Sequence, residues 1–444
     1  MNEKSGRKLF DIHKEELAFS ILMCLYFFLV ITSFWILKPI KKALFIDYYK
    51  TLGGLDLMGW HMLGSQAELI AKVLNMVLAA VAVGVFTVLC RKFVRQQLSV
   101  IFSAFFILCF FVYVGFLKDP SGWGVWSFYL FGDLYNTIMV ATFFAFLNDS
   151  VTPDAAKRLY GLIVFGGVAG GVVGTTAVKA SLKSIPNPMW MVILAVGTVV
   201  LVVIAIAAGK LGLKLRPATN VPENVAEPAA EKKGNAALEG ARLVFSSRYL
   251  LSIVAIVGLY EMVSTIMDFQ FTSTVEHFVT ESTKDHFATV YTITNVTSMV
   301  VQLFLTSFVM RRFGVGIALL VLPVASLLGS SGFLLLPILF TGSALNTLDN
   351  AFNYSINQSA KESLYVPTTK DEKYKAKAFI DMFVQRSAKA VAVGLSLLIT
   401  TLASDFGTIR WLSLLTVLIL IGWILAARFA GKSFDAMTRQ PEAA

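Results

Sequence analysis

The sequence predicts an all-α integral membrane protein with twelve transmembrane helices, from its composition, the length of its apolar runs and the placement of its basic residues. Of 444 residues, 56% are hydrophobic and only 15% charged, and the mean hydropathy is +0.71, too apolar for a soluble chain of this size. The apolar runs reach the roughly 20 residues that a helix needs to cross a bilayer. They lack the alternation over about ten residues that marks a membrane β-barrel. Spans are expected near 17–38, 66–90, 98–117, 125–147, 159–182, 189–209, 249–272, 287–310, 315–331, 332–360, 376–401 and 410–429. With the N-terminus inside, the inner loops and tails hold 26 lysines and arginines against 9 outside, the bias that orients membrane proteins. An even number of spans then puts both termini in the cytoplasm.

The net charge of +10 would suggest nucleic acid in a soluble protein. Here the basic residues sit in short loops and set topology, so nucleic acid is excluded as a partner and the lipid bilayer is the expected surround. Cys24, Cys90 and Cys109 lie in or at the ends of apolar runs with no pair at ligand spacing, which indicates neither a disulfide frame nor a metal site. The four histidines, His13, His61, His277 and His286, are expected in loops as solvated residues. No nucleophile and base pair and no cofactor motif stands out, so the chain is expected to be neither an enzyme nor a cofactor protein. Leu17 to Leu37 is too long for a signal-peptide core.

The first span closes on Lys38-Pro39-Ile40-Lys41-Lys42. A cation at membrane depth costs about 2.5–3.5 kcal/mol on insertion scales, so it tends to face a wet cavity, a carboxylate or a ligand anion. Spacings of three and four put the three lysines along one side of a helix, and Pro39 favours a kink near Trp35. Snorkelling to the interface is the alternative reading. In the second span Glu68 and Lys72, four apart, can pair on one face. In the fifth, Gly166, Gly170 and Gly174, with Gly167 and Gly171 beside them, predict close helix packing rather than a phosphate cradle, because the Gly-Lys-Ser/Thr ending of a P-loop is missing.

Lys210 to Arg248, with Pro217, Pro222 and Pro228 among Ala, Glu, Lys and Asn, reads as a solvated linker. It divides the chain into 1–209, an N-terminal six-helix half; 210–248, a cytoplasmic linker; and 249–444, a C-terminal six-helix half. Thr152-Pro-Asp-Ala-Ala-Lys-Arg after the fourth span echoes Thr369-Lys-Asp-Glu-Lys-Tyr-Lys after the tenth. Two parallel halves with a binding site between them is the major-facilitator plan.

Ionisable residues inside the spans are few: Glu68, Lys72, Asp133, Glu261, Asp268, Asp349, Arg386 and Lys389, with Lys41 and Lys361 at or near span ends. Asp133, Glu261 and Asp349 have no partner of opposite sign nearby in sequence, which makes them functional candidates or members of interhelix ion pairs. A lumen with more lysine and arginine than carboxylate suits a multiply charged anion such as a phosphate ester.

Phe143-Phe-Ala-Phe-Leu-Asn148-Asp149, Ala156-Lys157-Arg158-Leu159-Tyr160, Lys361-Glu362-Ser-Leu-Tyr365-Val-Pro367 and Lys373-Tyr-Lys375-Ala-Lys377-Ala-Phe-Ile-Asp381 resemble the signatures of the ATP/ADP translocase (nucleotide transporter) family of plastids and obligate intracellular bacteria. The resemblance covers most of the chain. It implies exchange of ATP for ADP or related nucleotides, and by position it gives importance to Lys41, Asp133, Glu261 and Lys361. Two stretches depart from the family's pattern: Lys38-Pro39-Ile40-Lys41-Lys42 stands where Arg-Asp-Thr-Lys-Asp is common, and Asp133-Leu134-Tyr135 where Glu-Leu-Trp is usual.

The expectation is therefore a monomeric nucleotide antiporter working by alternating access. Lys41, Lys361, Lys38 and Arg386 would bind phosphates, Asp133 and Glu261 would compensate these cations, and Asn148 belongs to the candidate substrate-binding set. The alternatives are a transporter of another organic or phosphorylated anion, proton-coupled through Asp133 or Glu261, and a membrane subunit or sensor that no longer transports. The short N-terminus, without an Arg- and Ser-rich transit sequence, points to a bacterial inner membrane.

Overall fold

The computed structural model describes residues 14–57, 59–151, 153–182, 184–215, 236–369, 372–402 and 406–439. In chain order these form α1 (Lys14–Leu52), a hairpin of β1 (Leu55–Leu57) and β2 (Trp60–Met62), α2 (Gly64–Lys92), α3 (Arg95–Phe116), α4 (Gly122–Ser150), α5 (Pro153–Ala180) and α6 (Asn187–Leu215). Then follow α7 (Ala236–Ser246), α8 (Arg248–Phe278), α9 (Thr283–Val300), α10 (Ser307–Leu335), α11 (Leu339–Phe352), α12 (Gln358–Ser363), α13 (Lys377–Phe379), α14 (Gln385–Leu402) and α15 (Arg410–Arg439). Single π-helical turns at Val301–Thr306, Asn353–Asn357, Glu372–Ala376 and Ile380–Val384 join or interrupt the later helices.

Among the described residues, ten helical stretches are long and apolar enough to cross a membrane. The eighth of these, Thr283–Leu335, runs 53 residues, but Gly314 inside it has φ 79° and ψ 175°, a conformation open to glycine and closed to most side chains. The break separates the spans expected at 287–310 and 315–331. The ninth of those runs on to Leu335, where Leu336 takes φ −132° and ψ 87°, because a residue before proline, here Pro337, is pushed out of the helical region. Pro39 does not end the first span, and α1 continues to Leu52. Gly53 and Gly54, both at positive φ, turn the chain into a hairpin that periodicity had not indicated. Of the expected linker, 216–235 lie outside the described residues, while its two ends are helical, in α6 and α7.

The chain forms two compact units by contact. One comprises 1–48, 74–222 and 287–292; the other 49–73, 223–286 and 293–444. This division differs from the linear one in giving 49–73 to the second unit and 287–292 to the first. In the first, Val77, Val81, Val85 and Val88 on α2 recur at helical spacing and are exposed, the face a helix turns to lipid.

In the first unit, α5 lies directly on α1. A Cβ at Gly166, Gly170 or Gly174 would stand 2.5, 2.5 and 2.6 Å from the carbonyl oxygens of Cys24, Phe28 and Thr32, so backbone-to-backbone approach needs glycine there. This is the close packing that the glycine spacing predicts. Beyond it, Tyr135 sits between Phe106 and Phe110, with ring centroids at 5.0 and 5.6 Å.

In the second unit, α8 is the central helix. Tyr260 packs edge-on against the fully buried Trp423 of α15 at 5.6 Å. The buried Gln270 donates to Ile409 O at 3.0 Å and Ser413 Oγ at 2.8 Å, which offsets the cost of an amide in an apolar core.

Candidate functional site

The three lysines of α1 part company. Lys41 and Lys42 are each only 4% exposed. Lys41 Nζ forms an ion pair with Asp133 of α4 and lies 4.4 Å from the Tyr129 ring centroid. Its stem fits against Gly132: a Cβ there would be 2.7 Å from Lys41 Cδ. Asn75 of α2 donates its amide to the other oxygen of Asp133. One carboxylate thus receives an ammonium and an amide from two helices, a charge-assisted arrangement that a low-dielectric surround strengthens.

Lys38 and Lys42, four apart, turn the other way. Lys38 Nζ stands over Trp35 at 4.4 Å and Tyr291 at 4.8 Å; Lys42 Nζ is 5.5 Å from Phe287. Cation–π contacts of this kind are worth about 0.5–2 kcal/mol and compensate a buried ammonium only in part. The lysines on this side of the helix thus meet different neighbours, because Lys41 and Lys42, adjacent in sequence, lie about 100° apart around the axis. Asp133, which has no partner nearby in sequence, takes its cation from another helix, from a residue 92 positions earlier, as an interhelix ion pair requires.

Asn148 does not join this group. It is exposed near the end of α4 and accepts a hydrogen bond from Tyr160 Oη. Fifteen residues beyond Asp133, it lies roughly 22 Å further along the helix.

In the second unit Lys361, on α12, is 8% exposed, with Nζ 5.5 Å from the Tyr260 ring. It lines a cavity of about 210 Å³ together with Gln358, Glu362, Tyr365, Asp381 and Gln385. Glu261, next to Tyr260 on α8, faces Lys389 of α14 at 3.9 Å. Arg386 is half-buried one turn before Lys389 and does not line the cavity.

A further charge cluster combines residues that local reasoning kept apart. Lys72 lies 3.8 Å from Glu68, as the four-residue spacing predicts, but its shorter contact, 2.5 Å, is to Asp268 of α8. Asn346 of α11 donates to the other Asp268 oxygen at 3.3 Å, and Ser264 donates to Asp349 at 2.6 Å. Asp268 and Asn75 are the residues that sequence reasoning undervalued. Both had a signal, a polar side chain inside an apolar span, and neither had a partner visible in the linear chain.

The chemistry offered is electrostatic: ammonium groups at membrane depth held by carboxylates and aromatic faces, with amides and hydroxyls orienting the carboxylates. Such a set binds and releases anions. A family model described as TLC ATP/ADP transporter matches residues 113–341 and 324–434. The chain is 22% identical over 353 residues to the plastidic ATP/ADP-transporter of Solanum tuberosum, covering 72% of this chain and 55% of that one. It is 24% identical over 367 residues to ADP,ATP carrier protein 1 of Chlamydia muridarum, covering 74% and 69%. It spans little more than half the length of the plastid relatives that it matches. Among solved structures it resembles a bacterial homologue of the iron transporter ferroportin in the inward-facing state (TM-score 0.64, 11% identity, 93% of this chain and 99% of that one). It also resembles a Major Facilitator Superfamily transporter, FucP, in the outward conformation (TM-score 0.52, 15% identity, 94% and 99%). At these identities the likeness establishes the fold: an all-α, multi-pass membrane protein of major-facilitator type.

Proposed function

Because this chain belongs to the TLC ATP/ADP transporter family, we propose that it is a nucleotide antiporter that exchanges ATP for ADP, or related nucleotides, by alternating access. The observation that carries the reading is the Lys41–Asp133 ion pair on apolar helices. A cation so deeply buried is retained at a cost of desolvation that an apolar pair would avoid, and a phosphate-bearing substrate gives it a use. Lys41 and Lys361 bind phosphate oxygens. When nucleotide arrives, Lys41 exchanges the Asp133 carboxylate for phosphate, and Asn75 keeps Asp133 hydrogen-bonded. When nucleotide leaves, Asp133 takes Lys41 back, so the ammonium is compensated in both conditions. Glu261 plays the same part for the cations of the second unit, with Lys389 as its present partner. Lys38 and Arg386 add positive potential for the phosphates, and Asn148 completes the proposed substrate-binding set.

The protein acts as a monomer in a bacterial inner membrane, with both termini cytoplasmic. Its spans number twelve, counting the two arms about Gly314 separately and adding Leu339–Ser363. No covalent step and no cofactor is needed, since the concentration gradients of the exchanged nucleotides drive the cycle.

Purified protein in liposomes preloaded with ADP is expected to take up external ATP, and unloaded liposomes are expected to take up little, because a site lined by cations resists reorientation without its anion. Equal uptake into loaded and unloaded liposomes would reject exchange. Uptake that depends on a proton gradient and ignores internal nucleotide would establish a proton-coupled transporter instead.

A further inference from the structure

A cavity of about 850 Å³ in the second unit takes no part in the scheme above. It is lined by the end of α1, the hairpin, the start of α2, the last turns of α8 and Thr400, Thr401, Phe406 and Ile409. Its volume falls in the range of small-molecule sites, and its walls have a definite chemistry. Two walls are flat and aromatic. Trp60, on β2, is 62% exposed, and the His277 and Phe406 rings stack on each other with centroids 4.1 Å apart and planes within 3°.

The charges around it are already committed to helix ends. Lys50 Nζ donates to the carbonyls of Glu276 at 2.7 Å and Val279 at 2.8 Å, at the close of α8. The Glu276 carboxylate accepts from Gly64 N at 2.7 Å and Ser65 N at 2.9 Å, at the opening of α2. Each charge sits where the helix dipole favours it, and the two balance, so the cavity is nearly neutral. Not every polar group in its wall is committed. Ser273 Oγ, in a residue only 4% exposed, has no hydrogen-bond partner among the described residues, whereas buried hydroxyls are nearly always bonded.

We propose that this cavity binds the base of a nucleotide: a planar heterocycle stacked on Trp60, with Ser273 Oγ bonded to its edge. A neutral, aromatic site with an unmet hydroxyl fits the base and ribose, and it lacks the free cations that a phosphate requires. Stacking accepts any base, since each has a π face. The cavity thus supplies a docking step on the face that carries the hairpin. This rests on the nucleotide reading above, but its test does not depend on transport.

The probe is adenosine, which has no phosphate. Purified protein is expected to bind it, and Trp60→Ala is expected to raise its Kd about 10-fold, within the range for loss of one base–aromatic stack. Trp60→Phe should stay within about 3-fold of wild type. Trp60 is exposed on a hairpin, so neither variant threatens folding. In liposomes, Trp60→Ala should raise KM for nucleotide presented from the hairpin face and leave kcat unchanged. If wild type binds no adenosine, or if Trp60→Ala binds it as wild type does, the inference is overturned. The latter result with reduced thermal stability would make Trp60 an interfacial anchor. Trp60-dependent adenosine binding in a protein that exchanges no nucleotide would instead overturn the transport reading and leave the cavity a nucleoside site.

Discussion

Replacing Lys41 by alanine separates a transport role from a structural one, because the structure gives the residue two separable tasks. It holds Asp133 in the ion pair, and under the proposed mechanism it holds phosphate. Losing one charge-assisted contact to phosphate should cost roughly 1.5–3 kcal/mol, about 10- to 100-fold in affinity. The stability cost comes from the partner left behind. Removing one member of a fully buried pair costs about 3–5 kcal/mol. Here the Asp133 side chain is 38% exposed and keeps its bond from Asn75, so about 1–2 kcal/mol is the better figure. The assay is a pair of measurements on purified protein: nucleotide binding by calorimetry and thermal unfolding in detergent, on Lys41→Ala, Asp133→Asn and the double variant. Lys41→Ala should lose both affinity and stability. The double variant should recover stability, since no carboxylate is orphaned, and should not recover affinity. Unchanged affinity in Lys41→Ala, with lowered stability that Asp133→Asn repairs, would refute the reasoning and make the pair a structural bridge between α1 and α4.

Three further outcomes are expected. Gly132→Ala would place a methyl 2.7 Å from Lys41 Cδ, and should displace Lys41 and weaken nucleotide binding several-fold while the protein still folds, as a competition binding assay would report. Lys361→Ala should likewise weaken binding roughly 10- to 100-fold, with a smaller loss of stability than Lys41→Ala, because its ammonium stands over the Tyr260 ring at 5.5 Å and, among the described residues, its loss breaks no ion pair of the kind that Lys41 makes with Asp133; unchanged binding would remove it from the site. A membrane-impermeant thiol reagent added from outside should label a cysteine placed at Ser121 and miss one placed at Glu227, and the opposite pattern would invert the topology.

The sequence by itself determined the solvent, the fold class and the cast of charged residues. An uncharged run such as Leu17 to Leu37 has one stable answer in a bilayer, because only a helix satisfies its own backbone there. The spacing of Gly166, Gly170 and Gly174 announced a tight helix contact for an equally local reason: a missing side chain leaves a groove. Burial cost also marked Lys41, Asp133, Glu261 and Lys361, since a charge inside an apolar span is conspicuous without any structure.

Only the tertiary structure decided how the charges are paired. The partner of a buried charge lies wherever another helix brings it, so Lys41 meets Asp133 and Asn75, and Lys72 meets Asp268 ahead of its own-helix neighbour Glu68. Helical periodicity likewise could not tell that Lys41 and Lys42, one residue apart, face different neighbours, because which faces are occupied is set by the packing of α4 and of residues 287–292. The hairpin and its cavity were invisible for the same reason: Trp60, Ser273 and Phe406 are scattered over some 350 positions, and nothing in a linear pattern records that they line one space.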